Sequence, residues 1–301
     1  MLGLGTHRIP AEQLAAAARR AASCPSGWID TAPNYCGGRA HRLLAPALAD
    51  HPQLRVATKA GFLTPAAARA AHAADVIETP EVRHSIDAGF VRWQTERSRT
   101  ELGRYQVDAV FLHNPEDGHR GDHDTLANRL RAAFTVLEEE VREGHLAAYG
   151  VATWSGFTDG AFTVPLLDRL ATEAADGPEH HLRYLQVPVN LVVDAHLDQA
   201  LNGRGPIAQA SQRGWEVHAS APLHGGELLT LATPEVAALI QAGAGIAAAC
   251  LAAAASCPGV SRVLLATANP AHWNDALAVT GAPAIPPQTL RTVLDVLATP
   301  D

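Results

Sequence analysis

The sequence has few cysteines and no cluster of basic residues. Among its 301 residues, 23 are lysine or arginine and 31 are aspartate or glutamate, which gives a formal net charge of −8 at pH 7. No run of basic side chains is available to neutralise a phosphate backbone, so we expect no nucleic-acid partner. The four cysteines have no C-x-x-C spacing, which argues against a zinc ribbon or a disulfide framework and favours reduced thiols.

Long apolar segments and export signals are also missing. The first residues, MLGLGTHRIP, lack the basic and apolar regions of a signal peptide. The longest apolar tract, Ala237 to Cys257, contains Gln241 and many small residues, which makes it a poor membrane span. We therefore expect a cytoplasmic protein without a membrane partner, in which this tract forms a helix packed on the core.

Common nucleotide and metal motifs are absent as well. No Gly-x-Gly-x-x-Gly follows a predicted strand and no Walker-type loop is present, which disfavours classical dinucleotide and nucleoside-triphosphate folds. Two histidine-rich places, Pro115 to His123 and His180 to His181, lack the spacing of a defined metal site. We expect these to be solvated loop histidines and predict no metal.

Short apolar runs alternate with longer amphipathic segments along the whole chain, as in βα units whose strands are buried on both faces. Eight such units without a linker favour one (β/α)8 TIM barrel over residues 1–301, rather than a doubly wound sheet. The predicted strands are Leu2 to Thr6, Trp28 to Asp30, Arg55 to Lys59, Asp108 to His113, Ala148 to Ala152, Tyr184 to Pro188, Trp215 to Ala219 and Arg262 to Ala266.

Local signals place some of the helices and one long loop. Asp87 precedes a predicted helix over residues 88–102, and Asp124 precedes another over residues 125–143. The segment Phe62 to Ile86 is longer than a usual βα loop and contains Ala-rich helical pieces. We expect this segment to lie over the mouth of the barrel, but the sequence does not define its role.

Four residues fall at or just after the ends of three consecutive strands: Asp30, Tyr35, Lys59 and His113. In a barrel these strand ends line one bowl, so the side chains are expected to meet there. A tyrosine with a pKa near 10 handles protons at neutral pH only if a nearby cation stabilises its phenolate, and Lys59 would lower that pKa. Asp30 would keep Lys59 charged, and His113 would orient a substrate oxygen or share the proton.

Each of these residues also has a structural interpretation. Asp30 can cap a turn, Tyr35 can pack in a loop, and His113 can be a satisfied core histidine. Lys59 is harder to explain in this way, because a lysine is rarely buried at the end of a strand without a functional partner. The joint placement favours a site of acid–base chemistry.

The motifs resemble those of the aldo-keto reductases. WIDTAPNYCGG is similar to the Asp-Thr-Ala-x-x-Tyr-Gly signature of that family, RVATKAG to its lysine strand and VDAVFLHNPE to its histidine strand. The segments AYGVATW, YLQVPVNL, SAPLHGG and VLLATANPAHWNDAL resemble the later cofactor-binding segments in the same order.

This resemblance implies a TIM barrel that transfers hydride reversibly between NADP(H) or NAD(H) and a small-molecule carbonyl, with Tyr35 as the general acid. Asp30, Lys59 and His113 would complete the catalytic set. The cofactor-binding positions implied by the resemblance are Thr6, Asp30, Gln186, Ser220, Leu223, Thr267 and Asn269.

At several positions of these motifs the sequence differs from the family pattern. Ala152 and Thr153 replace the usual Ser-Asn pair for the nicotinamide carboxamide, and Ser220 replaces a stacking aromatic residue. The glycine and the basic residue of the 2′-phosphate clamp align with Ala266 and Ala268. Two further departures are Cys36 after the tyrosine and His41 in place of an acid.

Losing three or four such contacts, at about 1 kcal/mol each, would weaken cofactor binding by roughly a hundred- to a thousandfold. A redox-neutral lyase, dehydratase or isomerase that reuses the Tyr35/Lys59/His113 set is therefore the alternative function. A non-catalytic barrel that serves as a binding subunit is a third. The sequence predicts neither the substrate nor the oligomeric state.

Overall fold

The computed structural model describes residues 1–24, 27–119 and 121–298. Eight strands follow one another in chain order around a closed barrel, which confirms the predicted (β/α)8 TIM barrel. Each predicted strand overlaps an observed one. The strands are β1 Leu2–Gly5, β2 Trp28–Asp30, β3 Arg55–Ala60, β4 Val107–His113, β5 Leu146–Ala152, β6 Leu182–Pro188, β7 Glu216–Ser220 and β8 Val260–Leu265.

The helices follow the strands and have recognisable start signals. Thr64, Thr163 and Thr233 each accept a backbone N–H three residues further on, and a proline occupies the first turn after each. The helices are α1 Ala11–Ala22, α2 Ala40–Asp50, α3 Pro65–Ala73, α4 Ala88–Leu102, α5 His123–Arg142, α6 Val164–Ala175, α7 Ala195–Leu201, α8 Gly205–Gln212, α9 Leu228–Leu231, α10 Pro234–Ile240, α11 Ile246–Ala255, α12 Pro270–Gly281 and α13 Pro287–Ala298.

Two helix predictions were wrong in detail. Helix α5 begins at His123, and the carboxylate that accepts the N–H of Thr125 is Asp122 rather than Asp124. The tract 237–257 is not one helix, because α10 ends at Ile240 and α11 begins at Ile246. Gly243 between them has φ +76°, a conformation that glycine adopts without steric cost.

The chain divides into two compact units. The N-terminal unit comprises Leu4–Tyr184 and Ala266–Ala268, and the C-terminal unit comprises Met1–Gly3, Leu185–Leu265 and the chain from Asn269 onward. All four predicted catalytic residues belong to the N-terminal unit. The single domain over residues 1–301 stays a prediction.

Within the N-terminal unit, parallel pairing aligns the strand ends that carry polar side chains. Asp30 is the register partner of Ala57, two residues before Lys59, and His113 is the partner of Ala152. Side chains two residues apart on a strand point to the same face. Asp30 and its partner Ala57 point to one face of the sheet, and Lys59 points to the same face as Ala57. The register therefore places Lys59 and Asp30 on the same face.

The segment 62–86 leaves β3 and returns to it. Phe62 and His84 form an isolated antiparallel bridge at its base. Its apolar residues pack on α4 in a small cluster built from Leu63, Ala68, Ala71 and Phe90, with Ala67, Val76, Ile77, Val82 and Trp93 against them. Its location over the barrel mouth stays a prediction. Among the described residues, no helix is both long and apolar enough to cross a membrane.

Candidate active site

A buried ion pair joins β2 to β3. The Lys59 ammonium lies 2.5 Å from Oδ1 of Asp30 and donates a second hydrogen bond to the carbonyl oxygen of Thr31 at 2.9 Å. The side chains are 1% and 6% exposed. Burial alone would lower the pKa of Lys59, but the Asp30 carboxylate and Tyr35 outweigh it and raise that pKa. Lys59 is therefore protonated at neutral pH.

Tyr35 lies directly beside this cation. The Lys59 nitrogen is 5.2 Å from the centroid of the Tyr35 ring. Burial raises the pKa of Tyr35 above its usual 10, and the charge and hydrogen bonding of Lys59 oppose that rise without cancelling it. The expectation of a lowered pKa for Tyr35 is thus wrong for the net shift, although Lys59 acts in the expected direction. Tyr35 therefore keeps its proton at neutral pH and has one to give.

The turn after Tyr35 shows that one departure from the family signature has a conformational cost. Cys36 adopts φ 50° and ψ 37°, in the left-handed region where the family has a glycine. A side chain in this conformation costs roughly 1–2 kcal/mol. The thiol of Cys36 donates to the carbonyl oxygen of Ile9 at 3.4 Å, which offsets part of that cost.

His113 ends β4 beside the tyrosine. Its ring lies 6.3 Å from the Tyr35 ring in an edge-on arrangement and 4.8 Å from that of Phe62. Burial, and then the charge of Lys59, hold the pKa of His113 well below 6.5. A neutral imidazole has one N–H donor and one acceptor nitrogen. His113 is therefore suited to donate a hydrogen bond to a substrate oxygen without carrying charge.

The returning end of segment 62–86 adds His84, which the sequence reasoning missed. Its Nε2 lies 2.8 Å from the carbonyl oxygen of His113, and its ring packs 4.8 Å from Phe62. Gly61 makes this approach possible, because a Cβ there would lie 2.8 Å from the His113 carbonyl oxygen and 3.0 Å from the His84 ring. The sequence signal that could have indicated this close approach is Gly61, the glycine that directly follows β3.

His7, in the turn after β1, was also missed. Its ring centroid lies 5.1 Å from that of Tyr35. Partial burial, followed by the charges of Arg8 and Lys59, lowers the pKa of His7. Nothing in the pattern GLGTHRIP distinguishes this histidine from a surface one. Its importance comes only from the fold, which brings the turn after β1 beside Tyr35.

The comparisons with known proteins agree with this geometry. The profile of the aldo/keto reductase family matches residues 1–283. The chain belongs to the aldo/keto reductase family. No curated protein matches the sequence.

Solved structures share the fold. A glycerol dehydrogenase from Gluconobacter oxydans is 19% identical with a TM-score of 0.70, and the match covers 99% of this chain and 91% of that one. An aldo/keto reductase from Klebsiella pneumoniae, solved with NADP and acetate, is 20% identical with a TM-score of 0.69, covering 99% and 92%. At these identities the likeness concerns the fold alone.

The two positions that the family resemblance assigns to the carboxamide, Ala152 and Thr153, lie in the N-terminal unit. Ala152 offers no polar side-chain atom. The hydroxyl of Thr153 donates to Oε1 of Glu116 at 2.6 Å and accepts the N–H of Gly156 at 2.8 Å. The hydroxyl therefore gives its only proton within the protein and keeps one acceptor lone pair.

Thr6 belongs to the same unit and is fully buried. Its hydroxyl and its backbone N–H both donate to the carbonyl oxygen of Asp30, each at 3.0 Å. Thr6 thus fixes the strand end that carries Asp30. Thr267 is half-buried after β8. Cofactor binding by either threonine stays a prediction.

In the C-terminal unit, Gln186 is a buried residue of β6, and Ser220 is the last residue of β7. Leu223 is half-buried just before the turn at His224–Gly226. Asn269 is exposed at the start of α12 and accepts the N–H of Ala271 at 2.9 Å. Their predicted role in cofactor binding stays a prediction.

One group among the described residues has metal-ligand geometry, away from the four predicted catalytic positions. The ring nitrogen Nδ1 of His145 lies 3.2 Å from Glu140 and 3.3 Å from Glu143, after α5. Glu140 also pairs with Arg92. These atoms already have protein partners, and we assign no metal to them.

Proposed function

We propose that this protein is an NAD(P)H-dependent reductase of a small-molecule carbonyl. The observation that carries the proposal is the grouping of a protonated Tyr35, a buried Lys59–Asp30 ion pair and a neutral His113. A lone ion pair has a structural explanation, but a tyrosine next to a buried ammonium has the properties of a proton donor whose anion is stabilised in advance.

The proton transfer follows from these positions. His113 donates a hydrogen bond to the substrate carbonyl oxygen and orients it toward Tyr35. The Tyr35 hydroxyl gives its proton to that oxygen as the carbonyl carbon is reduced. The positive charge of Lys59 stabilises the resulting phenolate, and Asp30 keeps Lys59 charged and in place. A bound nicotinamide would supply the hydride.

The donor set fits a dinucleotide in part. At the start of α12, Pro270 has no N–H, the Asn269 side chain accepts the N–H of Ala271, and the N–H of Trp273 bonds the Asn269 carbonyl oxygen, so this helix end would offer a phosphate few donors. By the family resemblance, Gln186, Ser220 and Leu223 of the C-terminal unit would be the residues that contact the nicotinamide. The alanines at 266 and 268 provide no cation, so we expect little preference for NADPH over NADH.

A second candidate function is favoured by Ala152 and Thr153. Because Ala152 has no polar side-chain atom and the Thr153 hydroxyl already gives its proton to Glu116, neither side chain has a donor for the carboxamide oxygen, which would weaken cofactor binding. The same acid–base group without a hydride donor would suit a redox-neutral lyase, dehydratase or isomerase. This function needs Tyr35 and Lys59 but no nicotinamide.

Titration with NADPH and with NADH, followed by calorimetry, separates the two functions. Saturable binding supports the reductase, whereas no binding at millimolar cofactor excludes it. Replacing Tyr35 by Phe should abolish carbonyl reduction while cofactor binding and folding persist. Tyr105→Phe is the matched control, because Tyr105 is 73% exposed and precedes β4 at the end opposite His113.

A further inference from the structure

His7 is an exposed residue whose ring is partly covered where it lies against the reactive tyrosine. It lies against the Tyr35 ring, 5.1 Å between centroids and inclined by 55°. Across residues 1–24, 27–119 and 121–298, the His7 ring makes no hydrogen bond with another residue. If this side chain only packed on Tyr35, a phenylalanine would serve as well, whereas histidine also has a hydrogen-bond donor and an acceptor. His7 therefore presents a donor and an acceptor to whatever binds beside Tyr35.

His7 and His113 both contact Tyr35 and carry no charge at neutral pH. Burial is the main reason that the pKa of each is lowered, and Lys59 contributes to both. His113 is the partner for the oxygen that receives the proton. His7 packs against the same tyrosine, and its ring can hydrogen-bond a second oxygen of the substrate.

We propose that the substrate carries an oxygen function next to its reacting carbonyl, as a hydroxy or oxo group on the neighbouring carbon, and that His7 binds it. This inference rests on the reductase function proposed above. A substrate with only alkyl groups would cover the His7 nitrogens without replacing their hydrogen bonds to water, which disfavours its binding. Hydroxylated or dicarbonyl compounds of short chain length are therefore the favoured class.

The test compares two ketones of almost the same shape, hydroxyacetone and butanone, in NADPH- and NADH-dependent reduction. We expect the wild-type protein to reduce hydroxyacetone with the higher kcat/KM. His7→Phe keeps an aromatic ring against Tyr35 but removes the hydrogen bond. The hydroxyacetone-to-butanone ratio should then fall by about tenfold, the value of one ordinary hydrogen bond, with most of the loss in KM.

Two further variants separate recognition from structure. His7→Asn keeps a donor and an acceptor and should recover part of the ratio that His7→Phe loses. His51→Phe makes the same replacement after α2, outside the catalytic set, and should leave the ratio unchanged.

Four results would overturn the inference. If cofactor binds but neither ketone is reduced, or if His7→Phe leaves the rates for both ketones unchanged, the substrate assignment fails and hydride transfer can stand. An equal fall of both rates in His7→Phe would mean that His7 only supports the position of Tyr35. If the wild-type protein binds no cofactor, the reductase function and the inference fail together.

Discussion

The Lys59 ammonium lies 2.5 Å from Oδ1 of Asp30, and neither side chain is more than 6% exposed. Removing two charges from water is expensive, and well-packed apolar residues are often as stable as a buried pair. The pair is therefore better explained by its effect on Tyr35 than by a contribution to folding. This interpretation makes separate predictions for stability and for activity.

Lys59→Met should destabilise the protein by about 3–5 kcal/mol, because it leaves the buried Asp30 carboxylate without its counter-charge. Adding Asp30→Leu to Lys59→Met should recover much of that loss. Urea denaturation measures both variants. Neither should reduce a carbonyl, since the phenolate of Tyr35 would have lost its cation. A double variant no more stable than Lys59→Met would contradict the view that the unpaired charge causes the loss.

Gly61→Ala should disturb the contact between His84 and His113. The new Cβ would lie 2.8 Å from the His113 carbonyl oxygen and 3.0 Å from the His84 ring, so the loop must shift. We expect a loss of about 1–3 kcal/mol in the free energy of unfolding. Carbonyl reduction should decrease as well, because His113 would be displaced.

Gly89→Ala is the matched control for Gly61→Ala. Gly89 lies in α4 with open space around the position of its Cβ. Alanine is favoured over glycine in a helix by about 1 kcal/mol, so stability should be equal or higher. Equal effects of the two substitutions would show that the close approach at Gly61 is unimportant.

The barrel was predictable because buried parallel strands have short apolar runs that recur at a regular spacing, as in VDAVFLH and AAYGVA. Asp30, Tyr35, Lys59 and His113 were predictable as candidates because a lysine ending a buried strand has few structural explanations. The cofactor residues were proposed only through the resemblance, and their role stays a prediction.

Other features could not be predicted from local pattern. The net pKa of Tyr35 depends on how deeply the fold buries the ring, which outweighs the visible effect of Lys59. His7 and His84 reach the site through a turn and the end of a long loop, so no spacing along the chain identifies them. The engagement of the Thr153 hydroxyl proton could not be predicted, because its acceptor, Glu116, lies 37 residues away in the sequence.

Ala152→Ser should tighten NADPH and NADH binding by up to about tenfold, the equivalent of one hydrogen bond of about 1 kcal/mol. Ala152 ends β5 and is the register partner of His113, where the family resemblance places a serine. Calorimetry measures the change. Ala148→Ser, earlier on the same strand, should not alter affinity. Unchanged binding in Ala152→Ser would indicate that position 152 does not contact the carboxamide.

Stability should decrease in acid because of His41. This side chain is almost fully buried, and its Nε2 lies 2.9 Å from the hydroxyl of Thr58. Burial is the main cause that lowers the pKa of His41 to about 3, and the charges of Lys59 and Arg97 add to it. The unfolded chain, with a pKa near 6.5, therefore binds a proton that the folded protein excludes between these two values.

The sign of the effect follows from this difference. The contribution of His41 is fully present above about pH 6.5 and is lost as the pH falls toward 3, by roughly 1.4 kcal/mol for each pH unit. Urea denaturation at pH 7, 6 and 5 should show this slope. His41→Gln, whose side chain can still hydrogen-bond Thr58, should reduce the slope by the amount that corresponds to one proton. His272→Gln, at an exposed position, should leave the slope unchanged. An unchanged slope in His41→Gln would mean that the other buried histidines account for all of the proton uptake.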